Sequence, residues 1–138
     1  MRILVAYDGS EPAQRALKHA LNTYPDQDII LLRVVEAASG SLEAGVDLLQ
    51  ETLKERRAET RAEIDETVRE RIRESDIDFE TEFCVGKPAA EIVSYAEEAD
   101  IDIIVLGSHG RQGMPRYLLG SVAETVVRRS PTIVTVVR

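Results

Sequence analysis

Four stretches of the chain, 2–7, 28–35, 102–106 and 132–137, are apolar at nearly every position. Runs this short and this densely apolar are typical of strands in parallel sheets covered by helices on both faces. A fifth run, 79–85, behaves differently: Phe79, Thr81, Phe83 and Val85 alternate with Glu80, Glu82 and Cys84. Alternation with period two marks a half-exposed strand at a sheet edge. Between the runs the period changes. Ala13, Ala16, Leu17, Ala20 and Leu21 recur at helical spacing, with Ser10 as N-cap, Pro12 in the first turn and Pro25 closing the helix. Gly86, Lys87 and Pro88 open a second helix over 89–99 that turns Ile92, Val93 and Ala96 inward, and 122–129 forms another. Positions 36–45 are small and polar, as in a loop. Positions 46–74 read as one long solvated crossover helix, laced with Glu and Arg at spacings of three and four. The order βαβαβαβαβ predicts an α/β fold over residues 1–138. It is a single Rossmann-like, doubly wound five-stranded parallel sheet, order 3-2-1-4-5, with helices on both faces.

Composition narrows the function. A chain of 138 residues buries enough surface for one core without disulfides, and its single cysteine, Cys84, has no internal partner. With no apolar run near the length of a membrane span, a cytoplasmic protein with no membrane partner is expected. A net charge of −8, four Tyr, two Phe and no Trp provide neither a basic face nor stacking platforms, so nucleic acid is not expected as a partner.

In a 3-2-1-4-5 sheet the winding reverses between strands 1 and 4, and ligands sit at the carboxyl ends of those strands. Those ends are Asp8-Gly9-Ser10 and the stretch 107–121, GSHGRQGMPRYLLGS. Glycines let backbone N–H groups turn toward an anion, and a helix N-terminus adds amide donors and a positive dipole end. Asp8 can accept hydrogen bonds from ribose hydroxyls or an adenine amino group, and it can also cap the first helix. Gly120 and Ser121, at a helix start, suit phosphate, although Ser121 also suits a plain cap. His109 is expected to pack the loop or face solvent, and Arg111 and Arg116 are solvated cations near enough to neutralise phosphate charge. No G-x-x-x-x-G-K-[ST] is present and no G-x-G-x-x-G follows the first strand, which excludes a P-loop and a dinucleotide fingerprint. Neither a nucleophile with a base nor a metal-ligand spacing emerges, so no catalytic or metal residue is assigned.

The segments ILVAYDGS, LLRVVE and DIIVLGSHGRQGMPRYLLGSVAETVVRRSPTIVTVV resemble the universal stress protein family along the whole chain. Gly107, Gly110, Gly120 and Ser121 fit the G-2x-G-9x-G-[ST] spacing of its ATP-binding members. The resemblance implies that Asp8 contacts the ribose or adenine, the Val34 backbone the adenine, and those four residues the phosphates. Gly9, Ser10, Ser108, His109, Arg111 and Val122 would adjoin. The implied ligand is ATP, or ADP or AMP, with Mg²⁺ held mainly by the phosphates. The last strand is an apolar edge, and Ile133, Val134, Thr135, Val136 and Val137 are expected to pair antiparallel with a second copy, which agrees with the family. The reading is a dimeric, nucleotide-dependent regulatory module acting on an unknown protein partner. The alternatives are a slow ATPase or adenylyl-transfer enzyme on the same type of fold, and a nucleotide-free dimerisation module. The strand-1 loop reads Asp8-Gly9-Ser10, without the Ser-Gly-Gly-type loop of the pyrophosphatase relatives.

Overall fold

The computed structural model describes residues 1–36, 79–108 and 119–138, with single positions between 54 and 73. Five parallel strands form one sheet: β1 (Arg2–Ala6), β2 (Asp28–Val35), β3 (Phe79–Val85), β4 (Ile103–Gly107) and β5 (Ile133–Val137). Their order is β3-β2-β1-β4-β5, so the expected switch between the first and fourth strands is present. The described helices are α1 (Glu11–Thr23), α2 (Pro88–Glu98) and α3 (Ser121–Arg129). Most of the loop expected over 36–45 and of the helix expected over 46–74 lies outside the described residues; the described positions 54–55, 58–60 and 69–70 are helical.

The continuous apolar runs of β1, β2 and β4 reflect burial on both faces, whereas β5, apolar but at the sheet edge, has no fully buried residue. Ile3, Val5, Ile29, Leu31 and Val105 pack in one layer with Ala13, Ala16, Leu17, Ala20 and Leu21 of α1. Leu4, Ile30, Leu32, Ile104 and Leu106 point the other way, toward Ile92 and Ala96 of α2 and Ala123 and Val126 of α3. Successive side chains in the central strands are therefore buried on opposite faces, so no position among them tolerates a polar residue cheaply. Each fully buried Leu, Ile or Val contributes roughly 1.5–3 kcal/mol over its exposed form.

The register is fixed across the sheet: Val5 faces Leu31 on one side and Val105 on the other, Val34 faces Cys84, and Gly107 faces Val137. Matched strand ends place the carboxyl termini of β1, β2 and β4 on one rim. Local chemistry brings the helices to that rim. The Ser10 hydroxyl accepts from the Ala13 amide at 3.3 Å, starting α1 directly after β1. Pro88 begins α2 shortly after the end of β3. Gly120 is the N-cap of α3 and has no side chain with which to cap it.

Candidate functional site

A cleft of about 640 Å³ opens at the carboxyl rim of the sheet. Its floor is apolar, made by Ala6, Leu32, Val34, Ile92 and Leu106. One wall is the β1–α1 turn with Asp8 and Ser10, and the facing wall is formed by Gly107 and Ser108 with the first turn of α3, Gly120 to Ala123.

The β1–α1 wall is held by its own hydrogen bonds. Asp8 Oδ1 accepts from the Ser10 amide at 2.9 Å and from the Ser10 hydroxyl. Between them Gly9 takes φ 82°, a left-handed conformation that side chains other than glycine resist. Ser10 thus links the carboxylate to the helix start, since its Oγ both donates to Asp8 and accepts from Ala13. Ser10, not Asp8, is therefore the cap of α1; the Asp8 carboxylate braces that cap and lines the cleft.

The opposing wall is held through the backbone. The Ser108 amide donates to the Val137 carbonyl at 2.9 Å, and the Gly120 amide donates to the Ser108 carbonyl at 2.6 Å. The Gly120 carbonyl accepts from the Glu124 amide at 2.9 Å, which closes the first turn of α3. These bonds tie the start of α3 to the end of β4. The first amides of a helix have no acceptor within it, so Ser121, Val122 and Ala123 present donors and the positive end of the dipole to the cleft. This is anion-binding chemistry built from main chain.

Gly107 has a further reason to lack a side chain. A Cβ there would stand 2.6 Å from the Pro12 Cβ and 2.7 Å from the Pro12 carbonyl carbon, closer than real contacts allow. The first turn of α1 rests on the end of β4, and the two cleft walls meet through that contact.

Of the residues singled out in the sequence, Asp8, Ser10, Val34, Gly107, Ser108, Gly120, Ser121 and Val122 line this one cleft, while Gly9 shapes the turn behind it. His109, Gly110, Arg111 and Arg116 lie outside the described residues. Sequence reasoning missed Tyr7, Arg33, Glu36, Pro88 and Ile92 among the lining residues. Arg33 carried a signal: it is the one charge inside an otherwise apolar strand after Asp28. Pro88 and Ile92 carried none, because their approach to the cleft depends on how α2 crosses the sheet.

Cys84 and Tyr95, neither of which lines the cleft, have displaced pKa values. Burial, reinforced by the nearby Glu91 carboxylate, raises the Cys84 thiol from 9.0 to about 11. Burial also raises Tyr95, with Glu82 and Glu80 adding to the effect and Arg2 opposing it.

The model of the Universal stress protein family matches residues 1–138. The chain belongs to that family. The universal stress protein MJ0577 of Methanocaldococcus jannaschii is 34% identical, the match covering 99% of this chain and 94% of that one, and its solved structure superposes with a TM-score of 0.71. The universal stress protein UspA of Lactobacillus plantarum, 30% identical, gives a TM-score of 0.77 over 100% of this chain and 97% of that one. A universal stress protein solved in complex with cAMP is 26% identical and covers the same shares of both chains, with a TM-score of 0.70. The family match spans the β1 turn, the cleft and β5 together, as the resemblance in the sequence required.

Proposed function

We propose that this universal stress protein is a dimeric regulatory module of the cytoplasm whose cleft binds an adenine nucleotide, ATP in the first place. The observation that carries this reading is the convergence of three chemistries in one cleft. Leu32, Val34, Ile92 and Leu106 offer an apolar bed for a flat base. Asp8 offers a carboxylate for hydroxyl or amino donors, and the first turn of α3 offers amides and dipole to anionic oxygens. In this arrangement the Val34 backbone meets the adenine, Asp8 the ribose or adenine, and Gly107, Gly110, Gly120 and Ser121 the phosphates, with Gly9, Ser10, Ser108, His109, Arg111 and Val122 adjoining. The cAMP complex of a relative supports adenine as the base.

Among the described lining residues Arg33 is the cation, beside the carboxylates of Asp8 and Glu36, and a polyphosphate is expected to enter with Mg²⁺. Mg²⁺ would supply charge neutralisation while riding on the phosphates. No residue here is assigned to chemistry on the nucleotide, and hydrolysis is expected to be slow.

Occupancy regulates only through different affinity for two states of the protein, one of which a partner prefers. Dimerisation is proposed through β5, whose outer residue Ile133 is 65% exposed. Isothermal titration with MgATP tests the binding reading: saturable heat is expected, and none up to millimolar ATP would reject it. Gly120→Val, which adds a branched side chain at the cap, should weaken binding by roughly ten-fold or more, in line with one lost charge-assisted contact.

A further inference from the structure

Arg33 sits where hydrophobic patterning leaves no reason for a charge. It is 4% exposed. Along β2, Ile30, Leu32 and Val34 belong to the layer of α2 and α3, while Ile29 and Leu31 belong to the layer of α1. Alternation therefore sends the Arg33 side chain out on the α1 face. There its Nη1 donates to Thr60 Oγ1 at 3.0 Å, and Thr60 is 1% exposed. Ile64 lies in the same layer, packed with Tyr7 and Ala13. Yet Arg33, Tyr7 and Ala13 also line the cleft. One side-chain layer is thus shared between the cleft wall and the helical positions 58–60 behind it.

We propose that Arg33 is a positioning residue that couples occupancy of the cleft to the docking of the segment at 58–60 on the back of the sheet. The inference rests on the nucleotide reading above. Lifting Thr60 away removes an acceptor from a guanidinium that has almost no access to water, which is far costlier than losing a surface bond. The coupling proposed is that Arg33 shifts as Thr60 leaves, and Arg33 is continuous with Leu32 and Val34 of the cleft floor. An opening that spoils the cleft is opposed by bound ligand in the ratio 1 + [L]/Kd. An opening that leaves the cleft intact feels no ligand at all. The segment at 58–60 is accordingly the surface on which a filled cleft differs from an empty one.

Amide hydrogen exchange on the full chain tests this, read on peptides covering 58–64 with and without MgATP at about ten times its titrated Kd. Exchange there should slow about ten-fold in the wild type. Thr60→Val removes the hydroxyl at nearly constant volume and lies outside the cleft lining, so it should still bind ATP while exchange at 58–64 becomes insensitive to it. Thr60→Ser, which keeps the hydroxyl, should restore the response. Unchanged exchange in a wild type that binds ATP overturns the inference, as does equal slowing in Thr60→Val. A titration without binding overturns the nucleotide reading first, and the inference with it.

Discussion

The two edges of the sheet expose the same backbone and treat it in opposite ways. Along β3 every second position through Glu80 and Glu82 is a carboxylate in solvent, and the strand reads FETEFCV. Along β5 the strand reads IVTVV, its outermost residue Ile133 is 65% exposed, and Val127 on the adjacent α3 is 46% exposed. A strand added to β3 would bring its side chains beside fixed negative charge, whereas a strand added to β5 would cover apolar surface. One guarded edge and one open edge define how copies can associate. Two open edges would allow head-to-tail growth into filaments, while a single open edge closes on itself about a twofold axis. The proposed dimer is the assembly that this asymmetry permits.

Breaking the open edge should have the largest effect. Ile133→Lys places an ammonium where the second strand would lie, and the dimer constant measured by sedimentation should weaken by more than about 100-fold, the scale of an unpaired charge in an interface. Ile133 contributes little to the core of one chain, so the separated protomer should keep its secondary structure in circular dichroism.

The guarded edge supplies the next effect. Cys84 sits in β3, and its pKa, raised to about 11, means less thiolate at any lower pH. At about pH 8 the thiolate falls from roughly 10% of an ordinary thiol to about 0.1%, so alkylation should run on the order of 100-fold slower than in the unfolded chain. Reaction that is fast at about pH 8 and levels off near pH 9 would refute the burial argument.

Removing the guard should have a smaller effect that depends on concentration. Glu80→Val with Glu82→Val turns the acidic edge into one resembling β5, and higher oligomers should appear at tens of micromolar in light scattering. Retention of a dimer alone would show that β3 is protected by something other than its charge.

The smallest effect sharpens the picture of Cys84. Glu91→Gln removes the secondary contribution to its raised pKa and leaves burial in place. Alkylation at about pH 8 should quicken only by a few-fold, since burial is the larger cause. A full return to the rate of a free thiol would reverse that ranking.

Much of this architecture is legible in the residues themselves. The apolar runs of β1, β2 and β4 mark strands because burial on two faces leaves little room for polar residues, Arg33 being the exception, and the alternation in 79–85 marks an edge because it leaves every second position polar. Sheet order then brings Asp8, Val34, Gly107 and Gly120 to one rim, which local spacing alone does not imply. Contacts between elements distant in the chain leave no such trace. Arg33 with Thr60 is one, since 27 residues separate them. The approach of Ile92 to the cleft is another, since it follows from the crossing of α2 over the sheet and not from any motif.

The contact between Gly107 and Pro12 bears on how ligand motifs are interpreted across a family. A glycine that admits a neighbouring helix is required by the packing, whether or not the cleft holds a ligand. Ala at 107 would press on the Pro12 main chain whether or not anything were bound. Gly120 stands instead at the mouth of α3, where it lines the cleft as the N-cap. A substitution at 107 therefore acts on folding whatever the cleft holds, whereas one at 120 acts at the cleft itself.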